Sequence, residues 1–260
     1  MKVQEYLLHL GDNALILGQR NAQWCGHGPV LEEDLALANN SLDLIGQARL
    51  LYQHVATLRG DGKTSEDLLA YWRDVPDFRN YTLLELPHSL ALHPGAGGDR
   101  DYAVTIGRNF LYSALMVRVW QGLKASRDAQ LAAIAAKSLK ETQYHLRHAQ
   151  DWVIRLGDGT EVSHARMQAA IDHLMPYTQE FWSASAMETS AFKAGVGVDI
   201  GALQAGWSGT VDSVLAQATL TRPAPGGFVS SGKLGMHSEH LGYVLAEIQS
   251  LARAHPQAVW

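Results

Sequence analysis

Apolar residues recur along most of the chain at intervals of three and four, the spacing that lines one face of an α-helix. The pattern predicts long helices near residues 3–24, 33–58, 101–125 and 128–156, and further helices near 161–185, 199–219 and 236–254. Breaks fall on Gly/Pro punctuation at Gly26-His27-Gly28-Pro29, Gly60-Asp61-Gly62, Pro94-Gly95-Ala96-Gly97-Gly98, Gly157-Asp158-Gly159 and Pro223-Ala224-Pro225-Gly226-Gly227. No stretch alternates with the period of a strand. Two long helices, a loop-rich connection over 59–100 and two more long helices give the order of a four-helix bundle with one long crossover, the ferritin-like arrangement. The expected fold is therefore all-α: a single ferritin-like helical domain over 1–260. Its core bundle would span about 3–156, with additional C-terminal helices about 161–254.

Polar residues on these helices form stripes. On the first, Glu5, His9, Asp12, Gln19 and Gln23 share one narrow stripe, with Leu10, Leu17 and Trp24 on the other side. On the second, Leu35, Leu37, Leu42, Leu44, Ile45, Leu51 and Val55 spread around most of the circumference, which predicts a buried helix. Asn40, Asp43, Gln47 and His54 nevertheless line up on it. On the fourth, Leu131, Ala135, Leu146, Ala149 and Val153 mark the core side, and Lys137, Lys140, Arg147 and Asp151 the outer side. His145 lies in the core-facing arc and Glu141 at its edge. Polar stripes converging inside a bundle are how di-iron carboxylate proteins place their ligands, with a Glu from each of two helices and Glu-x-x-His from each of the other two. Carboxylates and imidazoles of that kind suit iron that meets dioxygen.

Here the pattern fails. Between Asp101 and Asp128 there is no acidic residue, so the third helix has no carboxylate to offer. Three positions after Asp43 stands Gly46, and three after Glu141 stands Tyr144. Two Glu-x-x-His strings do occur, Glu85 to His88 and Glu161 to His164. The first encloses Pro87, which disfavours a regular helix. The second lies outside the four long helices. Asp12, Asp43, Glu141 and His145 thus read as a degenerate metal site, whose present role is a buried network with every member paired. The rival reading makes the same four residues an atypical ligand set of a free-standing di-metal carboxylate oxidase or oxygenase. A ferritin-type storage cage is a further alternative.

Composition narrows the function class. Net charge is -5 with no Lys/Arg run, so nothing points to nucleic acid. A single cysteine excludes an internal disulfide and a cysteine-built cluster. Glu5 precedes any apolar run, so the start does not read as a signal peptide. No apolar stretch approaches the roughly 20 residues that span a bilayer. A cytoplasmic setting is expected.

Several blocks resemble the PaaC-type subunits of phenylacetyl-CoA ring epoxidases. They are Leu10-Gly11-Asp12-Asn13, Gln23-Trp24-Cys25-Gly26-His27, Glu33-Asp34-Leu35-Ala36-Leu37-Ala38-Asn39 and Leu42-Asp43-Leu44-Ile45-Gly46-Gln47-Ala48-Arg49. Lys140-Glu141-Thr142-Gln143-Tyr144-His145-Leu146-Arg147 and Gly232-Lys233-Leu234-Gly235-Met236-His237-Ser238-Glu239-His240-Leu241-Gly242 complete the set. Any one would be weak; together they cover essentially the whole chain. The resemblance implies a ferritin-like fold and a structural subunit of an NADPH-dependent monooxygenase complex, itself non-catalytic and without a cofactor. It also implies an A-type partner that carries di-iron and binds phenylacetyl-CoA, a small B-type subunit and a flavin/iron–sulfur reductase.

The last block holds one further group. Lys233, His237, Glu239 and His240 follow a Gly-rich loop at a helix start. They read either as an interface or ligand contact, or as capping with buried hydrogen bonds. His237 and His240, three apart, would share a helical face. Cys25 with His27 invites comparison with a nucleophile pair, but the commoner reading is a lone buried cysteine.

Overall fold

The computed structural model describes residues 2–92 and 100–258. The Pro94–Gly98 break lies outside the described residues. Among those residues the chain is all-α, with no strand and one isolated bridge between Ser231 and Met236. The chain divides into two compact units, residues 1–86 with 231–260, and residues 87–230.

The first unit is built on a helical hairpin, α1 (Lys2–Ala22) and α2 (Leu31–Arg59). Gly11 lies against the Tyr52 ring, and Gly18 against Ser41, Leu44 and Ile45. Numbering rises on one helix as it falls on the other, so the pair is antiparallel. A Cβ at Gly11 would sit 2.7 Å from Tyr52 Cε1, and one at Gly18 3.1 Å from Ile45 Cγ1. Glycine inside a helix costs about 1 kcal/mol relative to alanine; here it admits the neighbouring helix. Ser41 Oγ donates to the Gly18 carbonyl at 2.6 Å across this contact. Gly60, with φ 59°, ends α2 in the left-handed conformation. Then follow α3 (Glu66–Tyr71), capped by Ser65, and α4 (Thr82–Glu85); α11 (Glu239–Ala254) returns from the far end of the chain to pack on both.

The second unit holds the other long hairpin, α5 (Tyr102–Leu123) and α6 (Ala129–Gly157). Asp101 and Asp128 cap their N-termini by accepting from the Ala103 and Leu131 N–H groups. Tyr102 at the start of α5 meets Trp152 near the end of α6, ring centroids 5.3 Å apart, so this pair is antiparallel too. Then come α7 (Glu161–Leu174), α8 (Gln179–Trp182), α9 (Ala186–Lys193) and α10 (Gln204–Gln217). Gly107 admits Met167 and Leu174 of α7 against α5. Trp207 of α10 is fully buried and donates its indole N–H to the Leu111 carbonyl at 3.0 Å. Two long antiparallel hairpins with additional helices fit an all-α, ferritin-like bundle.

Differences from the sequence-based expectations have local causes. The helix expected over 161–185 stops at Leu174, because Pro176 forces a 3-10 turn over Met175–Thr178 before α8. Helices α3 and α4 stand in the expected loop-rich connection and α9 where no helix was expected; each is too short for a period to show. Helix α2 is not buried all round: Leu35, Leu42 and Ile45 are exposed, since no other described part of the chain covers that face. Cys25 is exposed rather than buried, in the turn after α1.

Candidate functional site

The polar stripe of α1 is satisfied by a peptide rather than by a metal. His9, Asp12 and Asn13 occupy positions i, i+3 and i+4 on one face. Each holds the backbone of the extended segment before α4. His9 Nδ1 lies 2.6 Å from the Arg79 carbonyl, Asp12 Oδ2 accepts from the Arg79 N–H at 2.8 Å, and Asn13 Oδ1 accepts from the Tyr81 N–H at 2.7 Å.

Asp12 is fully buried and has further partners. Its Oδ1 accepts from Tyr52 Oη at 2.6 Å and from Arg73 Nη2 at 2.5 Å, and its Oδ2 from Arg73 Nη1 at 3.0 Å. Arg73 follows α3; its guanidinium lies 4.2 Å from the Phe78 ring centroid. Burial acts to lower this guanidinium, but Asp12 and Tyr52 beside it outweigh burial and the net direction is up. Burial, then Asp12, push the Tyr52 hydroxyl well above its ordinary value. The carboxylate therefore accepts four hydrogen bonds, two of them from a cation. A metal ion bound to Asp12 would displace these donors and face a buried positive charge.

A second cluster centres on Glu85, the last residue of α4, also fully buried. Its Oε2 accepts from Asn80 Nδ2 at 2.9 Å and from His237 Nδ1 at 2.7 Å; its Oε1 accepts from the Ser238 N–H at 2.5 Å. His237 Nε2 lies 3.0 Å from the Phe78 carbonyl. Both ring nitrogens face acceptors, so a ring that carries a proton on each would satisfy both contacts. Arg20 of α1 donates to the Glu85 carbonyl oxygen; burial lowers this guanidinium to about 10 against the opposing pull of Glu247 and Glu85.

The remaining candidates lie on other elements. Asp43 is half-buried on α2 in the first unit. Glu141 and His145 belong to α6 in the second: Glu141 pairs with Lys137 at 2.9 Å, and His145 is buried beside Tyr144. Lys233 is buried in a 3-10 turn over Gly232–Leu234, its ammonium 5.5 Å from the Tyr81 ring centroid. Ser238 caps α11, so His237 stands outside the helix and shares no face with His240; Glu239 is exposed and His240 buried. Of the two Glu-x-x-His strings, Glu85 has the partners given above, while His88 contacts Thr105 and Arg108. His164 Nδ1 lies 2.7 Å from the Gly157 carbonyl, while Glu161 is exposed. His27 Nδ1 contacts the carbonyl of Cys25, at 3.0 Å.

Sequence reasoning missed Tyr52, Arg73 and Asn80, and noticed Glu85 only as part of a Glu-x-x-His string that it set aside. Only Glu85 left a signal, as the lone charge in the apolar stretch Tyr81–Leu86. Among the described residues no three His, Cys, Asp or Glu side chains are grouped to hold a metal ion, and no helix is long and apolar enough to cross a membrane.

The family model described as phenylacetic acid catabolic protein matches residues 1–260. The chain is 44% identical over 255 residues to the C-type subunit of the 1,2-phenylacetyl-CoA epoxidase of Escherichia coli (strain K12), covering 98% of each chain.

Proposed function

Because this chain belongs to the phenylacetic acid catabolic protein family, we propose that it is the structural C-type subunit of a multicomponent phenylacetyl-CoA ring-1,2-epoxidase in phenylacetate catabolism. It works in the cytoplasm, pairs with an A-type subunit that carries the di-iron centre and binds the CoA thioester, and supports that subunit without turning over substrate. A B-type subunit and a flavin/iron–sulfur reductase complete the assembly. The full-length likeness to the C-type subunit of the Escherichia coli epoxidase supports this reading above all else. The commitment of Asp12 to Arg73 supports its non-catalytic part, as does the absence of any acidic residue over 102–127. The free-standing di-metal enzyme is disfavoured on the same grounds.

The test is reconstitution. The purified chain is expected to bind no stoichiometric iron and to oxidise nothing alone, while the A-type subunit with reductase loses most of its epoxidation when this chain is left out. Two irons per chain, or steady turnover by the isolated chain, would refute it.

A further inference from the structure

Helices α6 and α10 of the second unit leave a polar groove of about 590 Å3 between them, and Arg118 of α5 also lines it. Gly206, Thr210, Ser213 and Gln217 follow at intervals of four, three and four, so one face of α10 forms a wall. The Arg118 guanidinium lies flat against this wall at Gly206, where a Cβ would stand 2.7 Å from Arg118 Cζ. Arg118 Nη2 donates to Thr210 Oγ1 at 2.9 Å, and Thr210 Oγ1 donates in turn to the Gly206 carbonyl at 3.3 Å. Among the described residues Thr210 is the one polar partner of this cation. A guanidinium has five N–H donors, and Thr210 takes one of them. Asp151 lines the same groove from α6; it is exposed, and its side chain has no ion pair or hydrogen bond among the described residues.

Single solvated charges are ordinary on a protein surface. A cation and an anion that line one recess without pairing set a narrower condition. An occupant takes water from both and must return a counter-charge to each. The planar guanidinium fork matches a carboxylate, which accepts two parallel hydrogen bonds from it. A bare inorganic oxyanion would satisfy Arg118 and be repelled by Asp151. A plain alkylammonium would satisfy Asp151 and be repelled by Arg118. A molecule with a carboxylate at one end and an ammonium at the other meets both. Ile154 and Val214 add apolar wall against which its methylenes can rest. The volume falls within the roughly 300–1,000 Å3 of small-ligand sites.

We propose that the groove between α6 and α10 binds a small zwitterion of the amino acid class, its carboxylate on Arg118 and its ammonium on Asp151. The test is an NMR titration of the full-length chain, following the Gly206 and Gly209 amides. Glycine, β-alanine, γ-aminobutyrate and ε-aminocaproate serve as a ruler for the separation of the two charges. At least one of them should bind with a Kd of about 1 mM or tighter, and butyrate, butylamine and inorganic phosphate at least about tenfold more weakly. Arg118→Gln and Asp151→Asn should each weaken the best zwitterion by about tenfold or more. Arg166→Gln, on an exposed site of α7, should change nothing. Gly209→Phe should abolish binding with both charges kept, because no atom stands within 4 Å of a Cβ at that lining position and the ring would occupy the groove. Helicity should be unaltered; if Arg118→Gln misfolds, Asp151→Asn and Gly209→Phe carry the test. The proposal is overturned if no zwitterion binds, or if binding survives Asp151→Asn or Gly209→Phe. Phosphate or butyrate binding as tightly as the best zwitterion would make this a simple anion site and overturn it equally. Binding is measured on the chain alone, so a negative result leaves the C-type reading untouched.

Discussion

Replacing Arg73 with methionine tests the central assignment of the buried carboxylate. The substitution keeps most of the aliphatic stem and removes the guanidinium that gives Asp12 hydrogen bonds at 2.5 and 3.0 Å. The Asp12 side chain is fully buried and that of Arg73 is 12% exposed, so solvent screens the pair little. Breaking such a pair from one side leaves an uncompensated buried charge and costs about 3–5 kcal/mol, a large share of the roughly 5–15 kcal/mol that holds a folded protein together. Asp12→Asn in the same background removes the stranded charge and keeps one acceptor, which can serve the Arg79 N–H, while its amide NH2 can donate to the Tyr52 hydroxyl oxygen. The double variant should therefore be less destabilised than the sum of the two singles by about 2–3 kcal/mol. Urea unfolding followed by helical circular dichroism gives all four corners of the cycle. The reasoning fails if Arg73→Met falls within about 1 kcal/mol of the parent, or if the two substitutions add.

Three further outcomes are expected. Nitrogen NMR at neutral pH should report His237 protonated on both ring nitrogens, and Glu85→Gln, which removes the facing charge, should cost about 3–5 kcal/mol; a neutral ring would contradict the Glu85 geometry. Burial, then Arg108, depress the His173 ring below its ordinary 6.5. Its contribution is present in full above 6.5 and is lost as pH falls from there through the lowered native value; His173→Asn should flatten the loss of stability on acidification, and an unchanged pH profile would remove the assignment. Finally, Gly11→Ala should destabilise by about 1–2 kcal/mol, because its Cβ would meet the buried Tyr52 ring at 2.7 Å. Gly46→Ala on the open side of α2 should stabilise the isolated chain by up to about 1 kcal/mol, since no neighbouring atom stands within 4 Å; the same sign for both would refute the close-approach argument.

The long helices were legible because their apolar residues repeat over many turns, and their ends because Asp101, Asp128 and Gly60 carry the chemistry of caps. The α1 stripe was legible as polar and buried, but its purpose was not. Its partners are backbone groups of residues 79–81, and a peptide N–H is the same at every position of a sequence. Arg73 and Glu85 escaped for a different reason. They come from short turns between the long helices, so their distance from Asp12 and His237 along the chain bears no relation to their distance in space. The outer face of α2 misled because one chain cannot show whether an apolar row is covered by its own fold or by another protein.

The tether of the Arg73 charge has a consequence when metal is scarce. A ferritin-like interior that balances its carboxylates with iron depends on supply: a chelator empties it, and the protein made under iron starvation stays incomplete. A guanidinium delivered by the polypeptide cannot be withheld or stripped away. The Asp12 carboxylate is thus neutralised as soon as the chain folds, whatever the supply of metal.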